Sequence, residues 1–275
     1  MAFLTPQTLG DLLDALPLTP GDTLLVHSSL AALGPLRGLA ADGIPALVLG
    51  ALRRRLGPSG DLVMPAFGYD FPATGRCDLR TAPSAVGVLT ENFRTCPGVL
   101  RSTHPMFSFT AEGPGATDLL HPETPERQPF GPESVLARLA ARNALVLLLG
   151  AEFRYLTSFV YSERENGVRY RFDKPFAGQV TGIDGAVHHG EFRHFCLPKS
   201  GELHPDYSRA KAELLASGLA ERRVAGLGAV AWFRLGPVHD FLGRRLKDDP
   251  WYLLAQRPVR LYRFENGQEI ATALP

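Results

Sequence analysis

The run Ala144-Leu145-Val146-Leu147-Leu148-Leu149, ended by Gly150, constrains the fold more than any other stretch. An unbroken apolar segment of this length reads as a strand covered on both faces. Thr23-Leu24-Leu25-Val26-His27 and Gly60-Asp61-Leu62-Val63-Met64-Pro65 repeat the pattern, each after a Gly/Pro turn. Between them, Gly43 to Leu56 carries apolar residues at helical spacing and closes on Arg53, Arg54 and Arg55, where cations suit the helix dipole. Other helices are expected over Thr8 to Leu16, from a Ser84 cap to about Thr95, near Ala116 to Leu120, and from Ser134 to about Arg142. Strands alternating with helices through the first 150 residues predict an α/β fold with a mainly parallel central sheet covered by helices on both faces.

Beyond Gly167 the pattern changes. Val168 to Phe172, Gly178 to Ile183 and Val187 to Cys196 read as β, with Asp184-Gly185 as a hairpin turn. Helices over Ser208 to Ser217 and Pro237 to Lys247, a Gly-interrupted β stretch over Glu221 to Phe233 and a strand over Val259 to Phe264 complete an antiparallel C-terminal extension. No repeat or linker divides the chain, so residues 1–275 are expected to form a single domain.

Twenty-nine Lys and Arg against 28 Asp and Glu leave a net charge of +1, which gives no general attraction to nucleic acid or to a membrane surface. No apolar run approaches the roughly 18 residues needed to span a bilayer. Met1-Ala2-Phe3-Leu4-Thr5-Pro6 lacks the basic and apolar regions of a signal peptide. Three widely spaced cysteines, Cys77, Cys96 and Cys196, suggest neither a disulfide framework nor a zinc site, so a cytoplasmic protein without a bound metal is expected.

Several stretches carry groups suited to chemistry. His27-Ser28-Ser29-Leu30 ends a buried strand, where hydroxyls and backbone N–H groups can hold phosphate or pantetheine. Arg101-Ser102-x-His104-Pro105 places Ser102 and His104 on one face of an extended chain. Phe130-Gly131-x-x-Ser134 offers close backbone approach at Gly131 and, in its plainest reading, a helix cap at Ser134. A segment with polar and titratable groups, Thr157 to Gly167, starts just past the third buried strand, at the carboxyl end where open α/β sheets keep their chemistry. Cys96 and Cys196 lack a His/Asp setting, which argues against a covalent thiol mechanism.

Taken in order, these motifs, with Val86-Gly87-Val88-Leu89-Thr90-Glu91, resemble the aminoglycoside 3-N-acetyltransferase family over about residues 10 to 175. The resemblance implies an α/β fold with a deep cleft and acetyl-CoA as donor, with no metal. It implies a coenzyme A channel lined by His27, Ser28, Ser29, Leu30, Ser102, His104, Phe130, Gly131 and Ser134. It further implies direct transfer to a small-molecule amine, aided by a histidine one helical turn before a glutamate in a Thr-x-x-His-x-x-Glu motif.

That histidine is missing here. Aligning Thr157 and Glu163 puts Val160 in its place, and the alternative alignment puts Tyr161 there. Three readings stay open: Glu163 as base, directly or through water, with His104 or His27 nearby; an acceptor already neutral at pH 7; or a non-catalytic relative that binds coenzyme A or a partner. Tyr161 could still donate a hydrogen bond to a thioester oxyanion. Tyr69 is a candidate wall for a sugar ring. Arg169 and Arg171, in a run with three cations to one anion, point to an amino sugar or other non-polycationic acceptor. The oligomeric state is expected to be monomer or homodimer.

Overall fold

A computed structural model describes residues 4–121 and 123–274; Met1 to Phe3, part of the N-terminal segment read above, lie outside them. The strands are β1 (Thr23–Ser28), β2 (Asp61–Pro65), β3 (Arg76–Asp78), β4 (Leu100–Arg101), β5 (Phe109–Glu112), β6 (Leu145–Leu149), β7 (Phe172–Thr181), β8 (Val187–Cys196), β9 (Ala220–Ala225), β10 (Gly228–Arg234), β11 (Arg260–Glu265) and β12 (Gln268–Ala273). The helices are α1 (Pro6–Asp14), α2 (Ile44–Leu56), α3 (Phe71–Thr74), α4 (Val88–Arg94), α5 (Ala116–Leu120), α6 (Val135–Ala141), α7 (Thr157–Glu165), α8 (Ser208–Ala216) and α9 (Leu235–Asp248).

Seven strands form the central sheet in the order β4-β5-β2-β1-β6-β10-β9. Its middle is parallel: β1 pairs with β2 on one side and with β6 on the other. Antiparallel strands flank this trio, β5 on β2 and β10 on β6. Side chains alternate across the sheet, as strand geometry requires. Leu25, Val63, Val146 and Leu148 face one core, packed by α5 to α9, while Leu24, Val26, Leu62, Met64 and Leu147 face the other, packed by α1, α2 and α4. The three apolar runs are therefore covered on both faces, and the expected α/β architecture with an antiparallel C-terminal part is present.

Two local readings change. Ser84 does not cap α4: its hydroxyl meets Thr90 Oγ1 at 2.8 Å and its N–H donates to Glu91 at 2.7 Å, and the helix begins four residues later, after Gly87. The β segments from 168 to 196 are two ten-residue strands rather than three short ones, paired from Phe172↔Cys196 to Thr181↔Val187. Pro175 interrupts the sequence signal, yet it sits where β7 has a partner on one side only, since β3 joins at Gln179, Val180 and Thr181.

Candidate active site

Because β1, β2 and β6 run in parallel, their carboxyl ends open on the same edge of the sheet, the usual ligand position in open α/β sheets. A cleft of about 720 Å³ lies there. Ser28, Ser29, Leu30 and Ala31 line it from the turn after β1, and Pro65, Phe67 and Tyr69 from the chain leaving β2. Ala151, Tyr155 and Thr157 come from the segment after β6, with Ala85 to Val88 and Phe107 closing the sides.

Two glycines bring these segments together. Gly150 has φ +74°, and a Cβ there would collide with the Ser29 carbonyl oxygen, so only glycine lets the chain leave β6 beside the β1 turn. Gly87 has φ +129° and its Cβ position lies 3.3 Å from the Ser28 carbonyl oxygen, which places the start of α4 against the same turn. The loop after β2 is held from behind by Arg101, itself 3% exposed. Its guanidinium donates to the carbonyls of Ala66 (2.7 Å), Leu79 (3.1 Å) and Ala82 (2.6 Å), and to Ser108 Oγ (2.9 Å).

Three buried polar atoms around the cleft have no hydrogen-bond partner: His27 Nε2, Ser28 Oγ and Thr157 Oγ1, each from a residue in the lining. Buried groups of this kind are normally paired, so they are positioned to meet a bound molecule. Burial pushes the His27 imidazole down to about 4, so it is neutral at pH 7. Thr157 is also the first residue of α7, which turns the positive end of that helix dipole toward the cleft. Among the described residues lining the cleft there is no Asp, Glu, Lys or Arg.

The remaining residues singled out in the sequence divide sharply. His27 to Leu30 and Tyr69 are in the cleft. His104 is fully buried, and its Nδ1 accepts the backbone N–H groups of Met106 (3.1 Å) and Phe107 (3.0 Å). The proton therefore sits on Nε2, which donates to the Arg193 carbonyl at 3.3 Å. Burial drives this imidazole down to about 3. With both nitrogens engaged, His104 holds the turn that presents Phe107 and does not face the cleft. Ser102 is fully buried and accepts the Phe109 N–H at 2.9 Å, and Ser134 caps α6 by accepting from Ala137 N at 3.2 Å. Phe130 packs on Phe107 at 5.3 Å. Gly131 borders a separate cavity of about 600 Å³ by the loop before α6. Glu126, on that second cavity, accepts the Val135 N–H at 3.0 Å, has no partner for Oε2, and is pushed up to about 7 by burial.

Glu163, Tyr161 and the Arg169/Arg171 pair lie away from this lining. Glu163 is fully buried and lies outside the cleft lining; Tyr170 Oη donates to it at 2.7 Å and Arg171 Nε at 2.7 Å. Tyr161 points to α9, stacked on His239 at 5.2 Å, rather than to the cleft. Arg171 is bound up with Glu163, and Arg169 is exposed outside the lining, so neither guanidinium is placed to meet an acceptor in the cleft. Val160 packs against the core on the same helix. Tyr155, Thr157, Phe107 and the Ala85 to Val88 segment were not named as individual site residues, although Thr157 and Val86 to Val88 fall in stretches singled out above; the signal for Tyr155 and Thr157 was their place between β6 and α7.

Among the described residues no cluster of His, Cys, Asp or Glu could hold a metal ion, and no helix is long and apolar enough to cross a membrane. The cysteines are unpaired, and burial pushes the Cys77 thiol up and Cys196 up to about 11, so neither is a thiolate at pH 7.

Comparison with known proteins places this arrangement. The family model for aminoglycoside 3-N-acetyltransferase matches residues 25–247. The chain is 30% identical over 262 residues to aminoglycoside N(3)-acetyltransferase IX of Micromonospora chalcea, covering 84% of this chain and 89% of that one. It is 40% identical over 145 residues to aminoglycoside N(3)-acetyltransferase IV of Salmonella sp, a match spanning about half of each, 52% and 52%. A solved structure described as AAC-IIIb binary with CoASH superposes with a TM-score of 0.75 at 25% identity, covering 94% of this chain and all of that one, 100%. The chain belongs to the aminoglycoside 3-N-acetyltransferase family.

Proposed function

We propose that the protein is an acetyl-CoA-dependent N-acetyltransferase acting on a small amine that is not a polycation. The observation that carries this reading is the cleft at the parallel strand ends, with three unpartnered polar atoms and no charged side chain among its described lining residues. The Micromonospora and Salmonella relatives are named as aminoglycoside acetyltransferases, and the AAC-IIIb structure contains CoASH, which supports acetyl-CoA as donor. Aminoglycosides carry several ammonium groups; burying them without carboxylate partners is strongly unfavourable. A neutral acceptor meets no such penalty, and a singly charged one, such as an amino sugar, meets a smaller one.

In this reading the amine attacks the thioester carbonyl, the C–N bond forms, and the C–S bond breaks with its electron pair on sulfur. Thr157 Oγ1 and the amino end of α7 stabilise the oxyanion, as preorganised donors do. His27, neutral at the cleft wall, relays the amine proton toward the leaving thiolate. Glu163 supports α7 from behind through Tyr170 and Arg171. Release of coenzyme A, followed with a thiol reagent across amines of different charge, tests the reading. Turnover with singly charged or neutral amines and not with kanamycin-like polycations is expected. Preference for the polycations would refute the acceptor class, and failure to bind acetyl-CoA would refute the donor.

A further inference from the structure

The mouth of the cleft is formed by side chains that a solvated surface does not favour. Tyr69, Val88 and Tyr155 are 56%, 56% and 54% exposed, and all three line the opening. Exposed apolar groups gathered at one concavity mark a ligand surface. Tyr155 is held in place by Arg154, whose Nη2 donates to its hydroxyl at 2.8 Å while the guanidinium lies 4.8 Å from the ring centre. Tyr69 packs edge-on to Phe107 at 6.5 Å, and Phe107 packs edge-on to Phe67 at 5.3 Å. An aromatic wall thus runs from the mouth to the cleft interior.

The wall meets a second constraint, the proton on the acceptor. With Val160 or Tyr161 where the resemblance places histidine, α7 supplies no imidazole, and Glu163 is occupied behind it. An alkylamine with an ordinary ammonium pKa near 10 is only about one part in a thousand neutral at pH 7, and no described lining residue carries a carboxylate to attract or deprotonate it. An amine whose lone pair is delocalised into a ring is neutral at that pH and still nucleophilic toward a thioester. A sugar ring, in contrast, brings several hydroxyl groups that need partners. The unpartnered polar atoms sit at the strand ends, where the thioester is read to lie, and the mouth offers aromatic and aliphatic faces.

We infer that the acceptor is an aromatic amine, its ring bound between Tyr69 and Tyr155 at the mouth and its nitrogen directed to the strand ends. This rests on the acetyl-transfer reading above. The lone pair of the amino nitrogen on the ring forms the C–N bond, the C–S bond breaks onto sulfur, and the proton released from nitrogen ends on sulfur to give the free thiol. Because the amine enters neutral, its deprotonation before attack is unnecessary.

Aniline and benzylamine separate the idea cleanly, since they differ little in shape and greatly in basicity; glucosamine serves as the sugar arm. With acetyl-CoA at pH 7, kcat/KM for aniline is expected to exceed those for benzylamine and glucosamine by at least about 100-fold, and to stay flat from pH 6 to 9. Equal or faster use of benzylamine or glucosamine, or an aniline rate rising tenfold per pH unit, would overturn the inference while leaving the acetyl-transfer reading intact. Acetanilide binding by calorimetry gives a readout independent of turnover. Tyr155→Ala, at an exposed position, should keep the melting temperature and weaken acetanilide at least about fivefold; unchanged binding would overturn the inference. If acetyl-CoA neither binds nor is consumed with any amine, the acetyl-transfer reading fails, and the acetanilide result alone then decides whether the cleft takes an aromatic ligand.

Discussion

Replacing Glu163 by Gln distinguishes a supporting carboxylate from a catalytic one. Glu163 is fully buried, and its ion-pair partner Arg171 keeps only 8% of its side chain exposed. The Gln side chain retains an oxygen that can accept from Tyr170 Oη or Arg171 Nε, but the guanidinium loses its counter-charge in a place water does not reach. Breaking a buried pair from one side costs about 3–5 kcal/mol, and the retained hydrogen bonding puts Glu163→Gln near the lower end, about 3 kcal/mol. For a chain of this size that corresponds to a fall of about 6–12 °C in melting temperature. Urea unfolding followed by circular dichroism measures the loss, and thiol release per folded molecule measures the chemistry. The structural reading expects the stability loss with turnover within about threefold of the parent. The double variant Glu163→Gln/Arg171→Met should recover much of the stability, because both charges are then gone. A turnover loss above about 100-fold with the melting temperature unchanged would refute this reasoning and put Glu163 in the reaction.

Other perturbations test the remaining parts of the scheme. Thr157→Val removes an unpartnered hydroxyl at the cleft and is expected to lower kcat by about 10- to 100-fold while leaving urea stability within about 0.5 kcal/mol; an unchanged kcat would remove Thr157 from oxyanion stabilisation. The native protein keeps its Glu126 proton up to about pH 7, whereas the unfolded chain releases it near 4.5, so this residue makes stability fall as pH rises between those values. A window of about 2.5 pH units is worth about 3 kcal/mol, so Glu126→Gln should be relatively more stable at pH 8 than at pH 4.5 by an amount of that order, read from urea curves at the two pH values. His27, His104 and His194 are held neutral by burial, at about 4, 3 and 4, so their contribution is complete above about pH 6.5 and is lost as pH falls through about 4; His104→Asn should flatten the acid limb of the stability profile. Arg101→Met removes a donor from four acceptors, of which only the Ala66 carbonyl keeps another in Ser108 Oγ, and should destabilise by about 3 kcal/mol, with faster amide exchange in the chain from Ala66 to Ala82.

The parts of the fold that could be read in the sequence are those with a single periodicity and full burial. The runs at 23–27, 61–65 and 144–149 became the three parallel strands because their apolar residues had to be covered on both faces. Boundaries set by competing hydrogen bonds were less visible: Ser84 has the chemistry of a cap, but Thr90 and Glu91 claim it before a helix can. At the site, strand ends were legible and rotation was not. Residues of the His27 to Leu30 turn had to lie at the edge of the sheet wherever β1 ended. Glu163 and Tyr161 are on a helix whose angular setting depends on Tyr170, Arg171 and His239, and no local pattern encodes those contacts. The same limit applies to Ser102 and His104, whose polar atoms point into a tight turn over Phe107 and Phe109 instead of outward.

The lack of a histidine in α7 and the uncharged cleft lining bear on the same step. A protein that acetylates a protonated amine must attract a cation and then remove its proton; a carboxylate-lined cleft serves the first task and an imidazole near the nitrogen the second. Here α7 carries no histidine, and the described lining residues include no carboxylate. If only the base were replaced, a cationic acceptor would still bind and the protein would be a trap for it. If only the carboxylates were missing, a base would wait for an amine that seldom enters. With no carboxylate among the described lining residues and only the weakly basic His27 imidazole beside them, the acceptor that meets neither cost is an amine already neutral in solution. Binding energy from the aromatic mouth can then be used to orient the nitrogen toward the thioester, which is where transition-state stabilisation is needed.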